Sequence, residues 1–344
     1  MSDAPKLVLS HPLPNPAWLS RLTEDILEPE LPIVDPHHHL WDHGGNPYLL
    51  DNLMGDLTSG HNVVATVFLQ CFWAYRTAGP EEMKPIGETE FVAGVAAEAD
   101  RRRLKTRVAA GIVGYTDFRQ GEKVDAVLEA HIEAGAGRFR GIRQIAARHP
   151  AFLASMSTPP DFGMMADPAF RAGFALLEKY GLSYDAWLYH TQIGELVDLA
   201  RAFPDVPMVL NHVGGPLGVG PYRGKGDEVY AAWRKAIEVL ATCPNVRMKL
   251  GGLAMVVNGF DFHKNVLPPS SGELAGAWRP YMEASIEAFG ANRCMFESNF
   301  PVDKAMCSYP VLWNAFKRIA SGCSATEKAA LFHDTAAGFY RLGS

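Results

Sequence analysis

The sequence has few features of membrane, secreted or nucleic-acid-binding proteins. Its longest apolar run, residues 63–73, is interrupted by Gln70 and falls short of the roughly 18 residues that a membrane-spanning helix needs. The five cysteines are scattered without a Cys-x-x-Cys pair, which favours reduced thiols over a disulfide framework. The chain has 32 Lys and Arg and 38 Asp and Glu, and the resulting net charge of −6 gives no general attraction to nucleic acid. We therefore expect a cytoplasmic protein with a small-molecule substrate and no nucleic-acid or membrane partner.

Several common catalytic motifs are also missing. The chain has no Gly-x-Ser-x-Gly elbow, no phosphate-binding Gly-x-x-x-x-Gly-Lys-Ser/Thr loop and no His-Glu-x-x-His helix. Apolar residues are plentiful at 48% of the chain, which is enough for a large core. Histidine is the unusual component, with 12 residues, three of them consecutive at His37, His38 and His39.

Eight short apolar runs alternate with longer amphipathic segments. The predicted strands are 33–37, 62–70, 107–115, 139–144, 182–189, 207–212, 246–250 and 293–298, and the helical patterns are 122–134, 168–180, 192–203, 227–241, 271–289, 310–320 and 326–342. This alternation predicts an α/β protein with a (β/α)8 TIM barrel as a single domain over residues 31–344. Residues 1–30 are predicted to form a short N-terminal arm with a helix at 17–27. A doubly wound open sheet would instead require a glycine fingerprint where the histidine triplet stands.

Chemically active side chains fall where the predicted strands end, which in this fold is the active-site face. Because alternate residues of a strand share a face, His37 and His39 are predicted to face the barrel mouth and His38 to face away. Two such imidazoles can bind a cation or polarise a substrate oxygen. The remaining candidates at strand ends are Gln70, Arg143, His190, His212 and Asn299.

Further candidates lie next to these strand ends. The guanidinium of Arg143 suits a carboxylate of the substrate. Gln70, Trp73 and Tyr75 are expected to bind the substrate, together with the apolar loop 146–167. Lys249 and Glu98 are explained as well by a structural ion pair as by a function. A homo-oligomer is possible if an exposed barrel helix such as 310–320 pairs with its copy.

Seven segments in order resemble the amidohydrolase superfamily, from about Ile33 to the end of the chain. They are IVDPHHHLWD, AAGIVGYTDF, FRGIRQIAARHP, LNHVGGP, MKLGGLAM, FESNFPVDK and FHDTAAGFYRL. The resemblance is strongest to the amidohydrolase-2 lactonase branch, which includes 2-pyrone-4,6-dicarboxylate lactonase, fuconolactonase and sulfomuconolactone hydrolase. It implies a (β/α)8 hydrolase that opens a ring ester, and it assigns catalytic roles to His37, His39, Arg143 and His212.

One position departs from the family pattern. Family members end the eighth strand with Ser-Asp-aromatic-Pro, whereas this chain has Asn299 in place of the aspartate. A neutral amide is no base and a poor metal ligand, so Glu297 or Asp303 is a candidate replacement carboxylate. His212 or His190 is the alternative base. A metal, if present, is expected to be one divalent Zn or Mn ion held by His37, His39 and His190, and metal-free catalysis is equally compatible with the residues.

The resulting hypothesis is hydrolysis of a carboxylated lactone in the catabolism of an aromatic or sugar-acid compound. Water attacks a carbonyl that is polarised by histidines, and Arg143 anchors the carboxylate of the substrate. Two alternatives stay open at this point. One is a metal-dependent decarboxylase of an aromatic acid, against which Asn299 counts. The other is a catalytically degenerate barrel that only binds its ligand.

Overall fold

The computed structural model describes residues 7–8, 12–43, 45–153 and 159–343. Its central sheet has eight parallel strands, one for each predicted run: β1 Pro32–His38, β2 Asn62–Leu69, β3 Arg107–Gly114, β4 Phe139–Ile142, β5 Ser183–Ala186, β6 Met208–Leu210, β7 Val246–Leu250 and β8 Cys294–Phe296. The strands are short and rich in β-branched and other apolar residues, as expected for a sheet that is buried on both faces. The predicted barrel is therefore confirmed.

Neighbouring strands pair in chain order from β1 to β8, and the two edges nearly close the barrel. Just beyond β8, Phe300 forms a parallel bridge with His38. The Asn299 amide donates to the His37 carbonyl over 2.9 Å, and the His39 amide donates to the Phe300 carbonyl over 2.8 Å. These bonds join the histidine segment of β1 directly to the segment that follows β8.

A helix follows each strand and packs outside the barrel. The eight helices are α1 Leu50–Leu57, α2 Ile86–Arg101, α3 Val124–Ala134, α4 Pro168–Lys179, α5 Ile193–Ala202, α6 Gly226–Ala241, α7 Ser271–Phe289 and α8 Tyr309–Ile319. The sequence patterns did not predict α1 or α2. The buried face of α2 includes Gly87, Glu88 and Thr89, so its apolar periodicity is weak. No helix of the described ranges is long and apolar enough to cross a membrane.

The N-terminal segment differs from its prediction. The expected helix at 17–27 is only Pro16–Leu19, because the chain beyond it bonds to α8 instead of to itself. Lys317 of α8 donates to the carbonyls of Leu27 and Glu28, each over 2.8 Å. This segment covers α8, which is almost completely buried. The helix that was expected to offer an exposed surface for a homo-oligomer therefore has no such surface.

The barrel interior is filled by one layer of side chains and a plug from the C-terminus. The layer consists of Val34, Ala65, Val67, Leu69, Ala110, Val113, Val209 and Met295. The predicted helix at 326–342 is a continuous helical segment from Ala325 to Phe339 with a π-helical turn at Ala330–Asp334. Its end places Phe339, Tyr340 and Leu342 against the interior layer. The plug lies at one end of the barrel, opposite the C-terminal ends of the strands, where this fold carries its active site.

Loops from several strands build a second apolar cluster over the C-terminal end of the barrel. It contains Phe152, Leu217, Val219, Met255 and Val257. The arm strand Leu7–Val8 pairs in parallel with Phe152–Leu153 in the loop 146–167. Residues 154–158 of this loop, which is predicted to help bind the substrate, lie outside the described ranges.

Candidate active site

Polar side chains meet at the C-terminal end of the barrel, where the sequence predicted them. His37 lies near the end of β1, and Gln70 and Arg143 directly follow β2 and β4. His212 comes two residues after the short strand β6, and Glu297 directly follows β8. All five residues are buried. Parallel strands bring these residues together because all their carboxyl ends lie on one face.

The carboxylate of Glu297 connects two histidines. Its Oε1 accepts bonds from His212 Nδ1 over 2.7 Å and from the His212 amide over 2.9 Å. Its Oε2 lies 2.6 Å from His37 Nδ1, and the two imidazole rings are 4.5 Å apart between centroids. A carboxylate only accepts hydrogen bonds, so His212 carries its proton on Nδ1 and presents Nε2 as a base. No described residue bonds to His212 Nε2.

Both histidines are held neutral. Burial lowers the pKa of His37 well below its usual value, and the charge of Lys249 lowers it further. Burial also lowers the pKa of His212, although Glu297 opposes this effect. A neutral imidazole can accept a proton from water at pH 7, whereas an imidazolium cannot.

Arg143 borders the same centre. Its Nη1 donates to His37 Nε2 over 3.2 Å, and its Nη2 donates to the Gln70 carbonyl. The side-chain amide of Gln70 donates a hydrogen bond to the Arg143 carbonyl over 3.3 Å. Among the described residues Arg143 has no carboxylate ion pair, and its buried Nε has no partner. A buried cation of this kind is suited to an anionic group from outside the chain.

Three groups of this centre fit a divalent metal ion. Ligand atoms of His37, His212 and Glu297 lie within 4.8 Å of one another. Glu297 Oε2 is buried and lacks a hydrogen bond despite its close approach to His37 Nδ1. Two imidazole nitrogens and one carboxylate oxygen are a donor set that suits zinc.

The predicted metal ligands His39 and His190 do not belong to this group. His39 is turned so that Nδ1 lies 2.8 Å from the Leu69 carbonyl, and its ring is 5.0 Å from that of His37. His190 stands four residues beyond the end of β5 rather than at it. Its Nδ1 accepts the amide of Leu217 over 3.2 Å, and its ring lies against Tyr222. The chain turns after β5, which moves His190 toward the loop that follows β6.

His38 and Asn299 are bonded to the surrounding structure. His38 Nε2 lies 2.9 Å from Thr66 Oγ1, facing away from the mouth as the strand alternation predicts. The side-chain amide of Asn299 donates to Asp303 over 2.8 Å. Asp303 also accepts the amide of Ala254, and burial raises its pKa well above the usual value. Of the two predicted replacement carboxylates, Glu297 contacts the histidines and Asp303 supports Asn299.

The predicted substrate-binding aromatic residues lie in the loop after β2. Trp73 is half-buried, with its ring 5.2 Å from that of His43, and its amide donates to Glu88 over 2.9 Å. Tyr75 is also half-buried, and its hydroxyl has no partner among the described residues. Burial raises the pKa of Glu88 to about 7. These residues form a wall next to Arg143 and Gln70.

Comparison with known proteins identifies the family. The amidohydrolase family model matches residues 34–342, nearly the whole chain. The chain belongs to the amidohydrolase family. It is 38% identical over 330 residues to the uncharacterized protein y4mH of Sinorhizobium fredii, covering 91% of this chain and 99% of that protein. It is 26% identical over 323 residues to the L-fucono-1,5-lactonase of Burkholderia multivorans, covering 90% of this chain and 96% of the relative.

A solved structure agrees with the fold. The crystal structure of an amidohydrolase from Burkholderia multivorans superposes with a TM-score of 0.70 and 25% identity, covering 90% of this chain and 99% of the other. The superposition spans the barrel and its helices, so the predicted fold class and family are both confirmed.

Sequence reasoning missed the glycines that make room for this amidohydrolase site. Gly251 and Gly252 follow β7, and Gly252 has a φ of +66°. A Cβ at Gly252 would collide with the ring of His212, and one at Gly251 would collide with Glu297. The signal was present in the Gly-Gly of the MKLGGLAM segment, because paired glycines after a strand indicate a close backbone approach.

Two site residues of the amidohydrolase have left-handed backbones, which non-glycine residues rarely adopt. His212 has a φ of +57° and Asn299 a φ of +54°. Such conformations cost about 1–3 kcal/mol each and persist where the surrounding bonds fix them. In His212 the fixing bond is the backbone amide to Glu297.

Lys249 and its partners were also misjudged. Glu98 pairs with Arg102 on the surface, whereas Lys249 lies fully buried in the barrel. The Lys249 ammonium donates to Asp185 over 2.8 Å. Of the two interpretations left open by the sequence, an ion pair between Lys249 and Glu98 is wrong, because the two side chains belong to different layers of the fold.

Proposed function

We propose that this amidohydrolase hydrolyses a lactone that bears a carboxylate, with His212 as the general base. The observation that carries the proposal is the His212–Glu297 pair at the barrel mouth, beside the guanidinium of Arg143, which has no carboxylate partner among the described residues. The similarity to an enzyme named L-fucono-1,5-lactonase over 96% of that enzyme's length supports ring-ester hydrolysis as the reaction.

His212 activates water in this proposal. Glu297 accepts the Nδ1 proton and so fixes the ring with Nε2 available to remove a proton from water. As the imidazolium forms, the buried carboxylate stabilises its positive charge. The hydroxide adds to the lactone carbonyl, the ring C–O bond breaks, and the alkoxide leaving group takes up the proton from His212.

Arg143 binds the carboxylate of the substrate in this proposal, and His37 lies next to it. The guanidinium of Arg143 anchors the substrate carboxylate through its Nε edge, where no described residue bonds to it. His37 lies between Arg143 and Glu297, so its position is fixed from both sides. His39 completes the polar wall next to His37.

A divalent cation fits the residues His37, His212 and Glu297. Bound there, zinc or manganese would supply Lewis-acid polarisation of the carbonyl oxygen, and His212 would then be a metal ligand instead of the general base. The apolar cluster over the C-terminal end of the barrel selects the size of the substrate ring. Trp187, which packs against this cluster, lies edge-on to His212 with 4.7 Å between the ring centroids.

A panel of lactones tests the proposal. Neutral aldonolactones and carboxylated lactones are incubated with the protein, and ring opening is followed by acid release with a pH indicator. Carboxylated lactones are expected to be hydrolysed faster. His212→Asn should lower kcat by a factor of roughly 10² to 10⁴, the range of general-base contributions. His333→Asn, at a surface ion pair with Asp334, serves as the matched control and should keep native activity.

Arg143→Met tests the anchoring role of Arg143 separately from the role of His212 as the general base. It should raise KM for carboxylated lactones and leave KM for neutral lactones nearly unchanged. Equal loss on both classes would contradict the anchoring role. If the protein releases carbon dioxide from aromatic acids and hydrolyses no lactone, the proposed lactone hydrolysis is wrong and the protein is a decarboxylase.

A further inference from the structure

The proposed reaction leaves one fully buried cation unused. Lys249 lies on β7 inside the barrel, with 0% of its side chain exposed. Its ammonium donates to the Pro36 carbonyl and to Asp185 Oδ1, each over 2.8 Å. A buried ammonium is retained only where partners of this kind compensate for its lost hydration.

The Lys249 ammonium faces two of the three groups that suit a metal ion. Its Nζ lies 3.4 Å from His37 Nδ1 and 4.0 Å from Glu297 Oε2. These are the atoms that approach each other at 2.6 Å without a hydrogen bond. A divalent cation between them would lie close to a fixed positive charge in a buried site, where such repulsion is poorly screened.

Three further contacts keep Lys249 in this position. Asp185 Oδ1 also accepts the side-chain amide of Asn211 over 3.0 Å and the hydroxyl of Tyr340 over 2.8 Å. The Tyr340 ring lies 5.3 Å from the ammonium, within the range of a cation–π contact. Lys249 therefore cannot move away from the site without losing its hydrogen bond to Asp185 on β5 and its cation–π contact with Tyr340 of the C-terminal plug.

We propose that Lys249 is a positioning residue that acts as the resident cation of the cluster formed by His37, His212 and Glu297. Its ammonium, 4.0 Å from the Glu297 carboxylate, balances part of the negative charge of that group and keeps the affinity of the cluster for divalent metal ions low. The native protein is thereby a weak metal binder although its donor set suits zinc.

Zinc affinity tests the proposal without a substrate. Metal-stripped native protein and Lys249→Met are titrated with Zn²⁺ in competition with a chromophoric chelator. The variant is expected to bind one Zn²⁺ at least tenfold more tightly than the native protein. Equal affinity of the two proteins, or nanomolar binding by the native protein, would overturn the proposal.

Two control variants separate charge from general damage. Lys249→Arg keeps the positive charge and should retain weak binding. Arg247→Met removes a charge two residues earlier on β7, where the guanidinium lies over Phe339 in the C-terminal plug. This control should bind zinc like the native protein, and tighter binding by it would contradict a local effect of Lys249.

Two double variants locate the ion and guard against misfolding. Adding Glu297→Gln to Lys249→Met should abolish the tighter binding, and its persistence would place the ion elsewhere and overturn the proposal. If Lys249→Met alone fails to fold because Asp185 is left uncompensated, Lys249→Met with Asp185→Asn removes both charges and should show the same gain. Because no lactone is used, these results stand even if lactone hydrolysis fails.

Discussion

At the scale of single residues, Glu297 organises the site. It is fully buried, orients His212 through two bonds and contacts His37. His37 of the histidine triplet therefore contacts a carboxylate that lies 260 positions later in the chain. The exchange of aspartate for Asn299 is compatible with this arrangement, since a carboxylate is present on the same strand end.

Removing the charge of Glu297 should therefore damage catalysis more than folding. Glu297→Gln keeps the size of the side chain but can no longer stabilise an imidazolium at His212. We expect kcat to fall about a hundredfold or more on the best lactone, with a smaller change in KM. Steady-state kinetics of acid release measures both. Glu283→Gln, at a surface pair with Arg279, is the matched control, and equal kinetics for the two variants would refute the role of Glu297.

Asn299 is tested by restoring the family aspartate. The side-chain amide of Asn299 donates to the buried carboxyl of Asp303, so Asn299→Asp would place two carboxyl groups in contact. One of them must then stay protonated, which becomes costlier as the pH rises. We expect the free energy of unfolding at pH 8 to fall by about 1–3 kcal/mol. Urea unfolding at pH 6 and pH 8 measures the change, with exposed Asn292→Asp as the control; an unaffected stability at pH 8 would contradict this account.

At the scale of elements, the segments after the strands decide the geometry more than the strands do. The turn after β7 approaches His212 and Glu297 so closely that only glycine fits at two positions. The turn after β5 removes His190 from the centre. The helix α2 contributes Glu88, which bonds to the amides of Cys71 and Trp73 and so shapes the loop after β2.

A methyl group at Gly252 probes the turn after β7. In Gly252→Ala the new Cβ must displace the ring of His212, and the positive φ adds strain. We expect kcat/KM to fall at least tenfold and the protein to be less stable. Gly276→Ala is the matched control, because no atom lies within 4 Å of its added Cβ on α7. It should keep native activity and gain roughly 0.5–1 kcal/mol of stability from better helix propensity; native kinetics in Gly252→Ala would contradict the predicted collision.

At the scale of the whole molecule, buried histidine links stability to pH. Burial lowers the pKa of His38, His61, His131 and His190 to about 4, and it lowers the pKa of His37, His39, His149 and His212 as well. Between pH 6.5 and about 4 the unfolded chain therefore binds more protons at these rings than the folded protein does. Stability from this source falls as the pH falls.

Acidification should accordingly destabilise the protein. Burial raises the pKa of Asp35 to about 6 and that of Glu88 to about 7, and it also raises the pKa of Asp303 and Glu195. These carboxyl groups act in the opposite direction but are fewer than the histidines. From pH 7 to pH 5 we expect His38 alone to lower the free energy of unfolding by about 2 kcal/mol. Urea unfolding at pH 7, 6 and 5 measures the slope. Replacing His38 with the uncharged isostere in His38→Gln should flatten it, and an unchanged slope would assign the effect to other groups.

The amino-acid sequence alone predicts the eight strands, the barrel face that holds the candidate site and the position of His37 at that face. These features depend on periodicities of two and 3.6 residues, which are local properties of the chain. It also determined the family, because seven segments occur in the right order. The sequence pattern did not predict helix α2, because its buried face includes Gly87, Glu88 and Thr89 at positions where an amphipathic helix normally has apolar side chains.

Which of the candidate residues lie in contact depends on the tertiary structure. It joined Glu297 to His212 across 85 positions and Lys249 to Asp185 across 64, and it left His190 beside Tyr222. It also covered α8 with the N-terminal segment. Ion pairs and close approaches of this kind depend on how the barrel closes and how its loops turn. No local pattern in the chain encodes them, since each partner contributes only a single residue at a distant position.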